Sequence, residues 1–347
     1  MGARSSYQPS YVSQGAGFTN PGHFASSRGP NAGPAGETTA SGGTITDEGG
    51  YRYHKFTSPG TFVVTSNAGR VDVMMVGGGA GGGYDKGGGG GGGAIVCNLT
   101  PIGDGPESEG FAISSPGTFP VTIGDGGSGS TAGGSRGGTG GTTTFAAPWL
   151  PVTNAGGGGG GGSDNPPMAP GADGPTYGGS GGGGKTSNPG GAAGTYPTLP
   201  DPGKMSSFQS GGMYESPSYP NQGGGGGGAG GSGPIHSGGT KYGRAGKKIP
   251  WIPVNFGFAN NPGDPTAGYF AGGGPGGGGN SPVATTGSIA GSGHGGYTSG
   301  NPNNPGNAAS AAQANSGSGG GGGDAGAGPR NGGAGGSGIL IIRYVKG

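Results

Sequence analysis

Oligoglycine limits what this chain can become more than any other feature. From Val71 to Cys97 an apolar, strand-like segment (Val-Asp-Val-Met-Met-Val) runs without a turn residue into 77–83. It pauses at Tyr84-Asp85-Lys86 and continues through 87–93 into Ala94-Ile-Val-Cys97. Similar runs recur near 126–141, 155–162, 178–184, 223–233, 271–279, 291–296, 317–328 and 332–338. Such runs are either flexible spacers or members of an ordered array. With 105 glycines and 31 prolines in 347 residues, the default is low-complexity disorder, which Pro plus Gly above roughly 25–30% predicts. Two features oppose that default. Only 9% of residues are charged, whereas disordered tails are rich in Glu, Lys and Ser. Strongly β-prone segments also bracket the glycine at both ends.

Those segments predict a small antiparallel base. Tyr51–Phe56 and Thr61–Thr65 read as strands around the turn Ser58-Pro-Gly60. In the next strand Val71, Val73 and Met75 share one face, with Asp72, Met74 and Val76 on the other. Ala94–Asn98, Phe111–Ser114, Phe119–Ile123 and Thr142–Phe145 add further β segments. The chain closes on Ile339-Leu-Ile-Ile-Arg-Tyr-Val345, which needs a sheet to bury it and is expected to return to the N-terminal one.

The runs, mostly seven to twelve residues long, would span about 20–35 Å at ~3.1 Å per residue in an extended threefold helix. That is the thickness of a small domain. Glycine permits such packing because, without Cβ, backbone N–H groups can reach a neighbour's carbonyls. Collagen has one crowded face per helix and needs Gly at every third position; a rod surrounded by rods needs it on all faces. Ordering costs about 1–2 kcal/mol per residue, so backbone hydrogen bonds at ~0.5–1.5 kcal/mol net and apolar burial elsewhere must offset it. The expected fold is therefore all-β/irregular. An antiparallel base (46–150 and 336–347) is closed by the C-terminal strand, a bundle of rods with long loops spans 151–335, and there is essentially no α-helix. Residues 1–45 show no period and read as an extended arm.

The order of motifs resembles the glycine-rich domain of bacteriophage tail-fibre and other virion-associated proteins. It runs from Gly42-Gly-Thr-Ile-Thr through Tyr51-x-Tyr-His-x-Phe-Thr-Ser-Pro-Gly-Thr-Phe62 and Val-x-Val-x-x-Val-Gly-Gly-Gly. It continues through Pro116-Gly-Thr-Phe-Pro-Val-Thr-Ile-Gly-Asp-Gly-Gly127 to Gly336-Ser-Gly-Ile-Leu-Ile-Ile-Arg-Tyr344. The likeness covers roughly 42–347, with an insert at Gly103–Gly110 that the simple pattern lacks. Some tail-fibre-tip adhesins look similar, with stacked polyglycine type II helices whose loops bind a host receptor. The resemblance implies a virion protein, made in the host cytoplasm without a signal peptide and displayed on the particle. Its partners would be other virion proteins and a host surface polysaccharide or outer-membrane protein, and a homotrimer is possible.

Motifs that look chemical lack their context. Gly179–Thr186 fits the phosphate-loop expression, but Pro175-Thr-Tyr precedes it and Ser187-Asn-Pro189 follows, so neither strand nor helix frames it. Gly133–Gly137 and Gly178–Gly182 fit the nucleophile-elbow pattern and fail alike. The four histidines have no metal-ligand spacing, and the 15 carboxylates are spread thinly. Cys97, the single cysteine, excludes an internal disulfide. No enzyme activity, cofactor or metal is expected. The net charge of +1 offers no field for nucleic acid. No apolar stretch of about 18 residues exists for membrane insertion, and the start lacks a secretory core. Gly2 with Ser6 matches an N-myristoylation pattern.

Aromatic and basic residues concentrate instead in two long inter-run segments. Candidate receptor contacts are Tyr196, Phe208, Tyr214, Tyr219, Tyr242, Lys247, Lys248, Trp251, Phe256, Phe258 and Tyr269. Tyr7, Tyr11, Phe18 and Phe24 are candidates for anchoring the arm in the particle. The competing reading of the loop aromatics is a small core beneath the loops, since glycine rods supply no other apolar filling. Two functions are open: an adhesin at a fibre tip, or a capsid or tail decoration without receptor binding. A non-viral extracellular or ice-binding role would want a periodic Thr face, and none is evident.

Overall fold

The structure is a computed structural model. It describes residues 38–66, 69–98, 110–163, 174, 178–184, 190–194, 205–208, 210, 223–230, 242–259, 267–278, 290–296, 308–324 and 330–346. The arm candidates Tyr7, Tyr11, Phe18 and Phe24 lie outside the described residues, as do Tyr196, Tyr214 and Tyr219.

Two antiparallel sheets face each other. One has the order β1 (Thr39–Ser41), β4 (Gly60–Ser66), β8 (Gly117–Thr122), β9 (Thr143–Phe145), β10 (Asn154–Ala155). The other runs β11 (Met205–Phe208), β6 (Ile95–Asn98), β5 (Arg70–Val76), β14 (Ile339–Val345), β3 (Tyr51–Phe56), β2 (Thr44–Glu48), with β7 (Phe111–Ala112) pairing β5. Phe62, Val64, Phe119, Val121 and Phe145 from the first sheet meet Val71, Val73, Met75, Leu340 and Ile342 from the second. The alternation expected in 71–76 holds, because Met74 and Val76 turn to the opposite face and join a second core. No α-helix occurs among the described residues; Val254–Phe256 forms one 3-10 turn.

The C-terminal strand returns as the sequence requires. β14 inserts between β5 and β3, with Leu340 opposite both Met75 and Phe56. Its burial on both faces explains why it reads as a continuous apolar run. Pairing begins earlier than the texture of the sequence suggests. β1 pairs β4, and β2 pairs β3 from Thr44, so residues assigned above to the arm take part in the sheets. Both are short edge strands, and short strands carry too little alternation to be read. Base and bundle also interleave along the chain: rods 77–83, 87–93, 124–130 and 137–141 arise within the base segment, while β10 to β13 fall in the bundle segment.

The glycine runs are ordered rods. Rod 87–93 donates from Gly88 and Gly91 to 156–162, from Gly89 and Gly92 to 223–230, and from Gly90 and Gly93 to 317–324. Its carbonyls accept from 77–83 (Ala80, Gly83), 178–184 (Ser180, Gly183) and 271–278 (Gly274, Gly277). Each neighbour is thus addressed by every third residue, and donor and acceptor neighbours alternate round the axis. That is a threefold helix with six neighbours, and none of 87–93 has a positive φ. Rods 77–83 and 317–324 are surrounded in the same way.

Strand order carries directly into rod order. The β6–β5–β14 pairing (Val76 opposite Ile95 and Ile339) continues as Gly77 N–H to Ala94, Ala80 to Gly91, Gly79 to Gly336 and Gly82 to Gly333. In the other sheet β8–β9–β10 continues as rods 124–130, 137–141 and 156–162. Thr143 ties the two at the junction: its hydroxyl donates to the Val76 carbonyl at 2.6 Å and accepts from Gly124 N–H at 3.0 Å.

Candidate functional site

The segment from rod 242–246 to rod 271–278 crosses the outer face of the second sheet. β12 (Lys247–Lys248) pairs β13 (Tyr269–Phe270), and the chain between them lays Ile249, Trp251, Ile252 and Phe256 onto Tyr53, Met74, Ile95, Cys97 and Ile341. Trp251 and Phe256, nominated above as receptor contacts, are buried core residues. Phe208, Tyr242, Lys247, Lys248, Phe258 and Tyr269 are half-buried. The core reading of the loop aromatics therefore describes Trp251, Phe256 and Phe270, and Phe258 packs edge-on against Phe270. Glycine rods bring only the methyls of Ala229 and Ala271 to this core, so its large apolar side chains come from the sheet and from such a segment.

One buried cation fastens it. Arg343 lies between the rings of Tyr51 (4.1 Å to the centroid) and Trp251 (4.9 Å). Its Nε donates to Asp72 Oδ2 at 2.7 Å and its Nη1 to the Trp251 carbonyl at 3.1 Å. Asn98 completes the cluster, donating from Nδ2 to Asp72 Oδ1 at 2.7 Å and accepting from Val73 N–H at 2.9 Å. Burial opposes the Arg343 charge, but hydrogen bonds to Tyr53 and Asp72 outweigh it and hold the guanidinium pKa above its usual value. The arrangement is structural in character: a desolvated ion pair with its lone pairs used.

Three lysines line the outside of the segment. Lys55 Nζ sits 5.0 Å over the Phe256 ring, Lys247 4.6 Å over Phe208, and Lys248 5.9 Å over Tyr269. No carboxylate pairs with them among the described residues. Val254, 52% exposed, stands beside Lys248: both approach within 3.5 Å of where a Cβ on Gly268 would lie. At the end of the bundle remote from the sheets, Tyr84–Lys86 turns with positive φ at Asp85 and Lys86, and Arg330 reaches Asp85 at 3.4 Å.

The chemical look-alikes resolve into scaffold. Residues 178–184 form a rod, and buried Ser180 accepts from Ser210 N–H through its Oγ; Lys185 and Thr186 lie outside the described residues. Ser135 sits at a turn. His54 is fully buried against Phe62 and Tyr344. A carbonyl cannot donate, so Nδ1–H donates to Gly42 O (2.7 Å) and Nε2 accepts from Tyr344 OH (3.2 Å). Burial pushes its pKa down, and burial pushes the Cys97 thiol up to about 12. Among the described residues no group of three or more His, Cys, Asp or Glu could hold a metal. Sequence reasoning passed over Trp149, which packs edge-on to Phe119 and Phe145 and lines an open cleft of about 370 Å³ with Arg70, Phe111, Pro148 and Pro151.

A family model described as a glycine-rich domain matches residues 55–345, from within β3 to the last residue of β14. No curated protein matches the chain.

Proposed function

The chain belongs to the glycine-rich domain family, and from that premise we propose that it is an attachment protein of a bacteriophage particle. In this reading it is a tail-fibre adhesin that binds a host surface polysaccharide or outer-membrane protein. The observation that carries the reading is the docked segment. Lys247, Lys248 and Tyr269 are held at fixed positions by rods on both sides and by a core beneath, with the two ammonium groups resting on rings and paired with no carboxylate among the described residues. Such a platform loses little side-chain freedom on binding, which favours recognition by a rigid scaffold. Trp251 and Phe256 act here as supports, and Lys247, Lys248, Phe208, Tyr242 and Tyr269 as the contact set.

Two measurements test it. Gold-labelled antibody against the chain should mark the tail tip of virions, and purified full-length chain should adsorb to host cells. Lys247→Glu with Lys248→Glu should lower adsorption at least tenfold without moving the melting temperature. Label on the head, or adsorption indifferent to the charge reversal, would replace this reading with a decoration role.

A further inference from the structure

At the outer edge of the bundle, rods 124–130 and 137–141 lie side by side, joined by Gly138 N–H to Ser128 O and Gly141 N–H to Asp125 O, both 2.7 Å. Rod 124–130 sends the N–H groups of Gly127 and Ser130 to 77–83 and receives 330–338 on the carbonyls of Gly124, Gly127 and Ser130. The N–H groups of Asp125 and Ser128 have no partner among the described residues. Rod 137–141 donates from Gly137 and Gly140 to 156–162, and the carbonyls of Arg136 and Thr139 accept nothing among the described residues.

The rotational order that surrounds 87–93 fixes where these groups point. Going round any rod, donor and acceptor neighbours alternate. The direction after the 137–141 contact on rod 124–130 is therefore the Asp125/Ser128 donor row, and the direction after the 124–130 contact on rod 137–141 is the Arg136/Thr139 acceptor row. Both rows face one groove. One wall carries donors three residues apart and the other carries acceptors three residues apart. The Cβ-bearing directions that would enter it belong to Gly138 and Gly141. A methyl on Gly138 would meet Ser128 (Oγ 2.8 Å, N 2.9 Å), and one on Gly141 would meet Asp125 N at 2.7 Å. Asp125, Ser128, Arg136 and Thr139 are exposed.

We propose that this groove is a docking site for one extended Gly-Gly-Xaa segment of another polypeptide, which adds a further rod to the lattice much as a peptide adds a strand to a sheet edge. A β-strand cannot fit, because its period of two would address every third donor out of phase. The rods at the border show the composition a docked rod needs. Two rows of each are glycine and the third carries side chains that are exposed or half-buried, giving Arg136-Gly-Gly-Thr139-Gly-Gly-Thr142 and Asn331-Gly-Gly-Ala334-Gly-Gly-Ser337. A second copy related by a two-fold axis through this groove does not fit, since the Asp125 and Ser128 donors would face their own symmetry mates.

The test uses full-length protein carrying ¹⁵N-Asp and ¹⁵N-Ser and the nine-residue peptide (Gly-Gly-Ser)3. The Asp125 and Ser128 amide resonances should shift saturably at millimolar peptide. Ser128→Pro removes one groove donor and no internal hydrogen bond, and proline's φ suits an extended threefold helix. It should weaken binding at least tenfold with an unchanged melt. Gly138→Ala, which puts a methyl over the Ser128 amide, should also weaken binding, with a lowered melt because the two rods must part to admit it. Absent shifts, shifts that survive Ser128→Pro, or sedimentation showing that the chain dimerises through this face would each overturn the proposal.

Discussion

Gly89→Ala tests whether the rods touch backbone to backbone. The added Cβ would fall onto the carbonyl of Gly274 and against Pro275, at separations real Cβ atoms do not reach. Rod 271–278 would have to retreat, and its bonds from Gly274 N–H to Gly90 O (2.8 Å) and Gly277 N–H to Gly87 O (2.9 Å) would stretch or break. Two bonds at ~0.5–1.5 kcal/mol net amount to about 1–3 kcal/mol, and forcing a methyl into a packed interior costs about 1–3 kcal/mol more. Alanine restricts the unfolded chain, which returns only about 0.4–1 kcal/mol. The expected net loss is about 1–5.5 kcal/mol, read from guanidinium denaturation. The comparison is Ser128→Ala on an exposed row, which should stay within about 0.5 kcal/mol of the parent. Ala80, buried in rod 77–83, shows that a lattice can be built round one methyl; Gly89 has no such room. If Gly89→Ala and Ser128→Ala denature together, the rods are not in backbone contact and the six-neighbour bundle is wrong.

Further outcomes follow from the buried groups. Asp72→Leu strands the Arg343 charge between Tyr51 and Trp251 and should cost about 3–5 kcal/mol, whereas adding Arg343→Met should recover most of it, by denaturation of both variants. Burial holds the His54 pKa below the ordinary histidine value of 6.5. Its contribution is therefore complete above pH 6.5 and is lost as pH falls below that value toward the folded pKa. Melting temperature should drop between pH 7.5 and 5.5 by more in the parent than in His54→Gln, and equal slopes would refute this. Cys97, with its thiol pushed up to about 12 and its side chain buried, should react with a maleimide at pH 8 only as fast as the protein unfolds; rapid labelling of the native chain would contradict its placement.

The apolar strands were legible because side chains carry the pattern. Val71, Val73 and Met75 against Met74 and Val76, and the closing Ile339–Val345, could be assigned to faces and to a sheet from spacing alone. Rod neighbours were not, since a residue without a side chain says nothing about what it faces. The partial signal was at the interruptions. Asp125 and Ser128, Arg136 and Thr139, and Asn331, Ala334 and Ser337 recur every third position, and in the structure those rows carry the side chains a packed interior would exclude. The candidate contacts divided for a related reason. Trp251 and Lys248 lie three residues apart in one segment, but only the sheet beneath decides that the indole is covered and the ammonium is not.

The sandwich explains how featureless glycine finds a single register. Any rod of a poly-Gly lattice could slide by three residues and regain every hydrogen bond, so the bundle alone has no unique alignment. Strand pairing has one: Ile342 opposite Val73 and His54, with apolar faces that a one-residue slip would turn to the wrong side. Because rods 77–83, 87–93 and 330–338 are direct continuations of β5, β6 and β14, that alignment is imposed on the surrounded rods. Thr143, bonded to Val76 O on one side and Gly124 N–H on the other, carries it between the sheets where strands become rods. Register is therefore set at one end by ordinary side-chain packing, and the glycine transmits it toward the far end without adding information. Sequence change at outward rows and loop tips can then alter what the surface recognises while leaving the alignment intact.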